Sequence, residues 1–107
     1  MTYKLYTLDN QFIEETDKHP YNFTGIVEYH EGTREWYVNG KYYRIDGPEH
    51  EGSNGLKYWY VNDKLHRLGG PAVEHANGAK WWYINGKLVT EEQHNLLHSV
   101  MKLKKLA

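Results

Sequence analysis

The chain contains no cysteine. That absence removes disulfide staples, thiolate zinc sites and cysteine nucleophiles together. Serine is scarce as well, and neither Ser53 nor Ser99 sits in a nucleophile context. No P-loop, GxGxxG or GxSxG run occurs. The carboxylates of Glu14-Glu15 and Glu91-Glu92 are sequence neighbours, so they do not converge across a cleft as a glycosidase pair would. Positive charge is not in excess: 13 Lys and Arg stand against 14 Asp and Glu. Phosphate-dominated binding of nucleic acid therefore lacks its driving force. No apolar run approaches the ~20 residues that span a bilayer. The opening MTYKLYTLDN has no apolar signal core. These absences lead us to expect a soluble cytoplasmic protein with no catalytic centre and no cofactor.

What is present is periodic. Trp36, Trp59 and Trp82 stand 23 residues apart, as do Gly32, Gly55 and Gly78, and Asn39, Asn62 and Asn85. The segments read WYVNGKYYRIDGP, WYVNDKLHRLGGP and WYINGK. Such self-similarity marks a tandem repeat and decides fold class before any single residue does. The whole chain, 107 residues, suits one domain that buries roughly 65% of its unfolded surface.

Each unit carries two turn dipeptides. The first is Glu31-Gly32, Asn54-Gly55 or Asn77-Gly78; the second is Asn39-Gly40, Asn62-Asp63 or Asn85-Gly86. Asn-Gly suits a two-residue type I′ turn, whose central residues both need positive φ. Between the turns lie aromatic and β-branched stretches such as KYWYV, which read as strands. Gly47-Pro48 and Gly70-Pro71 punctuate the units, because proline brings no donor to a sheet ladder. The expectation is a mainly β fold: a single antiparallel meander sheet of about nine short strands. Residues 1–24 form an opening cap hairpin around Asp9-Asn10, and residues 25–89 hold the three units. Residues 90–106 change pattern. Thr90-Glu91-Glu92-Gln93 fits a capping box, and Leu96, Leu97, Val100, Met101 and Leu103 follow at helical spacing. Glu91 and Glu92 at the start and Lys102, Lys104 and Lys105 at the end suit the dipole of an amphipathic helix packed on one sheet face.

With two-residue turns throughout, Trp36 lies between Val27 and Tyr43, Trp59 between His50 and His66, and Trp82 between Val73 and Val89. One face then collects Val27, Trp36, Val38, Tyr43, Ile45, Trp59, Val61, Leu68, Val73, Trp82, Ile84 and Val89 as the buried side. The other collects Glu35, Tyr37, Tyr42, Arg44, Tyr58, Tyr60, Leu65, Arg67, Glu74, Trp81 and Tyr83, with Glu35 facing Arg44 and Tyr58 facing Arg67. Aromatic and opposite-charge cross-strand pairs stabilise a sheet by about 0.2–1 kcal/mol each without any further role. Tyrosine, tryptophan and arginine are also the types that dominate interface hot spots. The candidate partner-binding residues are therefore Glu35, Tyr37, Arg44, Tyr58, Tyr60, Arg67, Trp81 and Tyr83. His94 and His98, four apart on the helix, could face one metal, but no carboxylate or thiolate is placed to complete a site, so surface or cap histidines and no metal are expected. His50 and His66 around Trp59 are a candidate pH-sensitive pair.

The pattern W-Y-x-N-G-K-x-x-R-x-x-G-P over residues 25–89 resembles the tandem β-hairpin repeats of the MORN type. It is also similar to repeats of small bacteriophage and giant-virus proteins. The resemblance implies an extended sheet used to bind proteins or membranes. The Asn-Gly hairpins and Gly-Pro closures depart from the MORN pattern, which counts against lipid. The small size and viral likeness imply a phage accessory protein that inhibits a host antiviral defence enzyme by direct binding in the host cytoplasm. Two alternatives stand beside it. Bases could stack on the exposed aromatics of a single-stranded nucleic-acid binder. An unpaired edge strand or the helix could instead build a homodimer or a larger assembly.

Overall fold

A computed structural model describes residues 1–106, with side-chain placement through Leu103. The described residues are mainly β, with one helix. The opening hairpin pairs β1 (Tyr3–Tyr6) with β2 (Phe12–Thr16). There follow β3 (Gly25–Tyr29), β4 (Arg34–Val38), β5 (Lys41–Tyr42), β6 (His50–Glu51), β7 (Lys57–Tyr58) and β8 (Tyr60–Val61). The remainder is β9 (Lys64–Leu65), β10 (Val73–Glu74), β11 (Lys80–Ile84), β12 (Lys87–Val89) and α1 (Glu91–Leu106). Ten strands make one antiparallel sheet in the order β12-β11-β10-β7-β6-β4-β3-β1-β2, with β5 on β4; β8 and β9 form a separate pair. Among the described residues no helix is long and apolar enough to cross a membrane.

The Asn-Gly turns form as their sequence demands. Asn39 and Gly40 have φ of 51° and 78°, Asn62 and Asp63 of 52° and 60°, and Asn85 and Gly86 of 50° and 81°. Both central residues are left-handed, as a type I′ turn requires. The register they set is the expected one: Tyr43 N–H donates to Trp36 O, His66 N–H to Trp59 O, and Trp82 lies opposite Val89.

The other turns differ from the expectation by one residue. Gly32 N–H donates to Tyr29 O while Tyr29 N–H donates to Thr33 O. This is a three-residue loop, a type I turn followed by a glycine bulge. The same pair of bonds recurs at Gly52, Gly55 and Leu56 and at His75, Gly78 and Ala79. Trp36 is thus opposite Ile26, and Val27 is opposite Glu35. His50 is opposite Tyr58, and Val73 opposite Trp81. Because side chains alternate between faces, a one-residue slip moves a strand's residues to the other side. Val27, His50 and Val73 therefore leave the tryptophan face and join Glu35, Tyr58 and Trp81.

A second departure follows Tyr42 and Leu65. The chain does not continue along the ladder but swings out, through 43–49 and 66–72, and returns as β6 and β10. Tyr43, Ile45 and Val61, expected inside, are exposed; Ile45 is 88% accessible. Both faces consequently hold core. Leu5, Val27 and Val73 are buried on one, and Ile26, Trp36 and Ile84 on the other.

The excursions cover the indoles. The Arg44 guanidinium lies 3.7 Å from the Trp36 ring centre and that of Arg67 lies 3.8 Å from Trp59. Each is held in place by the carbonyl of its Gly-Pro closure, at 3.0 Å for Pro48 and 3.1 Å for Pro71. Each also binds a carboxylate, Glu51 at 2.7 Å and Glu74 at 3.1 Å. Trp82 is covered by α1 instead, with the His94 ring 4.9 Å away.

The capping box forms at both ends: Thr90 N–H donates to Gln93 Oε1 and Gln93 N–H to Thr90 Oγ1, each at 3.0 Å. The face that α1 turns inward is not the expected one. His94 is buried and His98 and Met101 are half-buried, whereas Leu96, Leu97, Val100 and Leu103 face solvent. The side chains of Lys104 and Lys105 lie outside the described residues.

At the start of β3 the backbone of Gly25 (φ 147°) passes so close to β1 that an added Cβ would stand 2.3 Å from the Tyr6 carbonyl oxygen. Backbone cannot yield there as a side-chain tip could. Gly25→Ala is expected to cost about 3 kcal/mol, read as a lower urea midpoint. A neutral result would mean that this crossing is looser than described.

Candidate functional site: aromatic rings tethered to a buried carboxylate

Glu35 sits mid-strand in β4 and is 5% accessible. A lone carboxylate there would be costly, so its partners decide everything. Its Oε1 accepts from the Tyr29 and Tyr37 hydroxyls at 2.5 and 2.8 Å. Its Oε2 accepts from the Tyr42 hydroxyl at 2.7 Å and meets His50 Nδ1 at 2.8 Å. A carboxylate offers about four lone-pair sites, and all are occupied. The group is therefore unavailable as a general base and serves as an anchor.

The local sequence explains the convergence. Tyr37 is two residues on along β4 and Tyr42 is its partner across the Asn39-Gly40 turn. His50 on β6 lies directly opposite Glu35, and Tyr29 and Val27 share this face on β3. Burial opposes the charge on Glu35, but the bond from His50 and those from Tyr29, Tyr42 and Tyr37 outweigh it and hold the pKa down at about 2. Burial first, then the carboxylate itself, raises the pKa of the hydroxyls of Tyr29, Tyr37 and Tyr42 above the usual phenol range.

The tethered rings extend into a strip. Tyr37 stacks on Tyr42 at 5.1 Å and Tyr42 on Tyr60 at 4.5 Å. Tyr58 meets Tyr60 edge-on at 6.2 Å. At the other end the link between β2 and β3 crosses this face and sets His19 against Tyr3, Tyr29 and Tyr37. Tyr37, Tyr42, Tyr58 and Tyr60 are all half-buried, so each shows part of a ring to solvent.

Of the candidate binding residues, Tyr37, Tyr58 and Tyr60 lie in this strip and Glu35 lies beneath it. Trp81 and Tyr83 occupy the same face on β11, and Trp81 is 48% accessible. Arg44 and Arg67 do not belong to it. Glu35 faces His50 rather than Arg44, and Tyr58 faces His50 and Val73 rather than Arg67. Both arginines leave with their excursions and cap indoles on the opposite face.

Glu49, buried immediately before β6, accepts from the backbone N–H of Tyr60 and Arg44 at 2.9 and 3.2 Å. Burial raises its pKa. It borders an open groove of about 440 Å³ between the two excursions, along with Ile45, Trp59 and Leu68.

The histidines resolve differently from the sequence expectation. His50 belongs to the Glu35 cluster and does not flank Trp59. His66 does oppose Trp59, and its Nδ1 accepts from Asn85 N–H at 2.8 Å. Burial, then the nearby His94, lowers the pKa of His66. His94 is 1% accessible and its Nε2–H donates to Arg67 O at 2.5 Å. Among the described residues no group of three or more histidine and carboxylate side chains gathers as a metal would require.

Sequence reasoning passed over Tyr29 and His50 as members of the cluster. A signal was present in Glu31: type I′ geometry needs positive φ at both central residues, and glutamate resists it. In the structure Gly32 alone of that pair has positive φ. Comparisons of the chain with known protein families, curated proteins and solved structures gave no match.

Proposed function

We propose that the chain is a non-enzymatic protein-binding module whose contact surface is the tethered aromatic strip together with Trp81 and Tyr83. The observation behind this reading is the half-exposed Tyr37–Tyr42–Tyr60 stack, anchored from below by Glu35. Aromatic rings that are already fixed give large contact area with little further loss of rotamer freedom. Tyrosine and tryptophan are also the side chains that carry most binding energy at protein interfaces. The likeness of the repeat to those of phage and giant-virus proteins supports the more particular reading: a phage-encoded inhibitor that occludes a host antiviral defence protein in the host cytoplasm. Single-stranded nucleic acid is the weaker occupant. Bases can stack on tyrosine, but the formal net charge is −1 and the two best-placed arginines are spent on tryptophans and carboxylates.

Affinity capture from host lysate is expected to recover one dominant protein with the native chain. Tyr58→Ala combined with Trp81→Ala should abolish that capture with circular dichroism unchanged, while Arg67→Lys should retain it. Capture that survives the double substitution removes this face from the reading. Retention of single-stranded oligonucleotides at low salt would favour the nucleic-acid alternative.

A further inference from the structure

The outer side of α1 carries an apolar seam that the fold leaves uncovered. His94, His98 and Met101 turn toward the sheet at i, i+4 and i+7. Leu96, Val100 and Leu103 repeat the same spacing on the opposite side, since about 100° per residue puts the two stripes half a turn apart. Leu96 is 67% and Leu103 66% accessible, with Leu97 beside them also exposed. A gap of four residues and then three is the seam spacing of a coiled coil.

The charges on the same helix are polarised. Glu91 and Glu92 lie in its first turn, and Lys102 is exposed near its other end, with Lys104 and Lys105 following in sequence. Laid antiparallel on a copy of itself, the helix sets each acidic start against the other's basic end. Laid parallel, it sets like against like. We infer that α1 is a self-association surface on which two copies of the chain pair antiparallel, leucine seam to leucine seam, about a two-fold axis. A two-fold contact uses one patch twice, and an acidic start with a basic end suits such an axis when the helices run antiparallel. Sixteen residues make a helix about 24 Å long, so the pairing is weak and depends on concentration and salt. The inference uses a surface apart from the tyrosine strip and stands whether or not that strip binds a partner.

Sedimentation equilibrium of the full chain, from low micromolar to near-millimolar concentration, is expected to show the mass rise from 12.7 kDa toward twice that value. Leu96→Glu with Leu103→Glu should raise the dissociation constant by more than about tenfold. At low micromolar concentration, where the native chain is monomeric, the thermal midpoint should not move with these exposed changes. Self-pairing should weaken as salt is raised toward about 1 M, since the end charges are exposed. A native chain that stays monomeric throughout would overturn the inference. So would a dimer indifferent to the leucine substitutions, or a monomer whose seam instead binds anionic phospholipid vesicles.

Discussion

Glu35→Gln is expected to lower the unfolding free energy by about 3–5 kcal/mol, the largest loss from any isosteric change in this protein. The carboxylate receives four donors on two oxygens. An amide keeps one acceptor oxygen and turns an NH₂ toward the remaining two donors. Hydrogen bonds to a charged acceptor are worth about 1.5–3 kcal/mol each, and a buried donor left without a partner adds its desolvation cost. Repair is difficult, because the donors are fixed by stacking and by the strand register.

The same cluster sets an acid-side pH dependence. Glu35 has a folded pKa of about 2 against an ordinary 4.5. The unfolded chain therefore takes up this proton first as pH falls. The contribution is complete above about pH 4.5 and is lost progressively between there and pH 2. A depression of that size corresponds to roughly 3 kcal/mol. Glu49 acts in the opposite sense, since burial raises its pKa and its stabilising effect grows as pH falls. Urea titrations of the native chain and of Glu35→Gln between pH 2.5 and 7, followed by tryptophan fluorescence, separate the two groups. The difference between the curves should be nearly constant above about pH 5 and shrink below it. Equal stability at neutral pH, or a difference independent of pH, would show that the cluster does not hold the fold.

The second large effect belongs to Trp36. It is 8% accessible, lies between Ile26 and the excursion, and is roofed by Arg44. Trp36→Ala is expected to cost about 3–5 kcal/mol, the range for a buried aromatic that leaves a cavity. Trp59 carries the same arginine cover but is half-buried, so Trp59→Ala should cost about half as much. Trp81→Ala, on an exposed ring, should stay within about 1 kcal/mol of the native chain. Chemical unfolding of the three variants tests the ranking. Equal losses at Trp36 and Trp81 would contradict the assignment of faces.

Much of the architecture could be read from the sequence because its signals are local. Asn39-Gly40 and Asn85-Gly86 specify a turn type with little help from the rest of the chain. Thr90 and Gln93 specify a helix start through bonds only three residues apart. The register of the other turns was not legible from the dipeptide alone, since glycine serves both a two-residue turn and a three-residue loop with a bulge. That ambiguity sent Val27, His50 and Val73 to the wrong face. The anchored carboxylate escaped for the same reason: its donors come from four strands, and only the correct register assembles them. The helix was misread on other grounds. Periodicity offers two opposed stripes, and hydrophobicity alone selects the leucines. The ring contact between His94 and Trp82, with the bond to Arg67 O, selects the histidines.

The roof over Trp36 and over Trp59 is cut from nearby chain. Arg44 follows Trp36, and Arg67 follows Trp59, by eight residues, and each arginine finds its carbonyl and carboxylate within seven more. Each roof is completed just past its Gly-Pro closure, by Glu51 or Glu74 at the start of the following unit. Duplication of one unit, spliced in phase, would supply the same carboxylate to the unit before it and lengthen the ribbon by a strand pair, about 10 Å at ordinary inter-strand spacing. A lineage carrying this chain could adjust its reach by copying units, leaving both the opening hairpin and the terminal helix untouched.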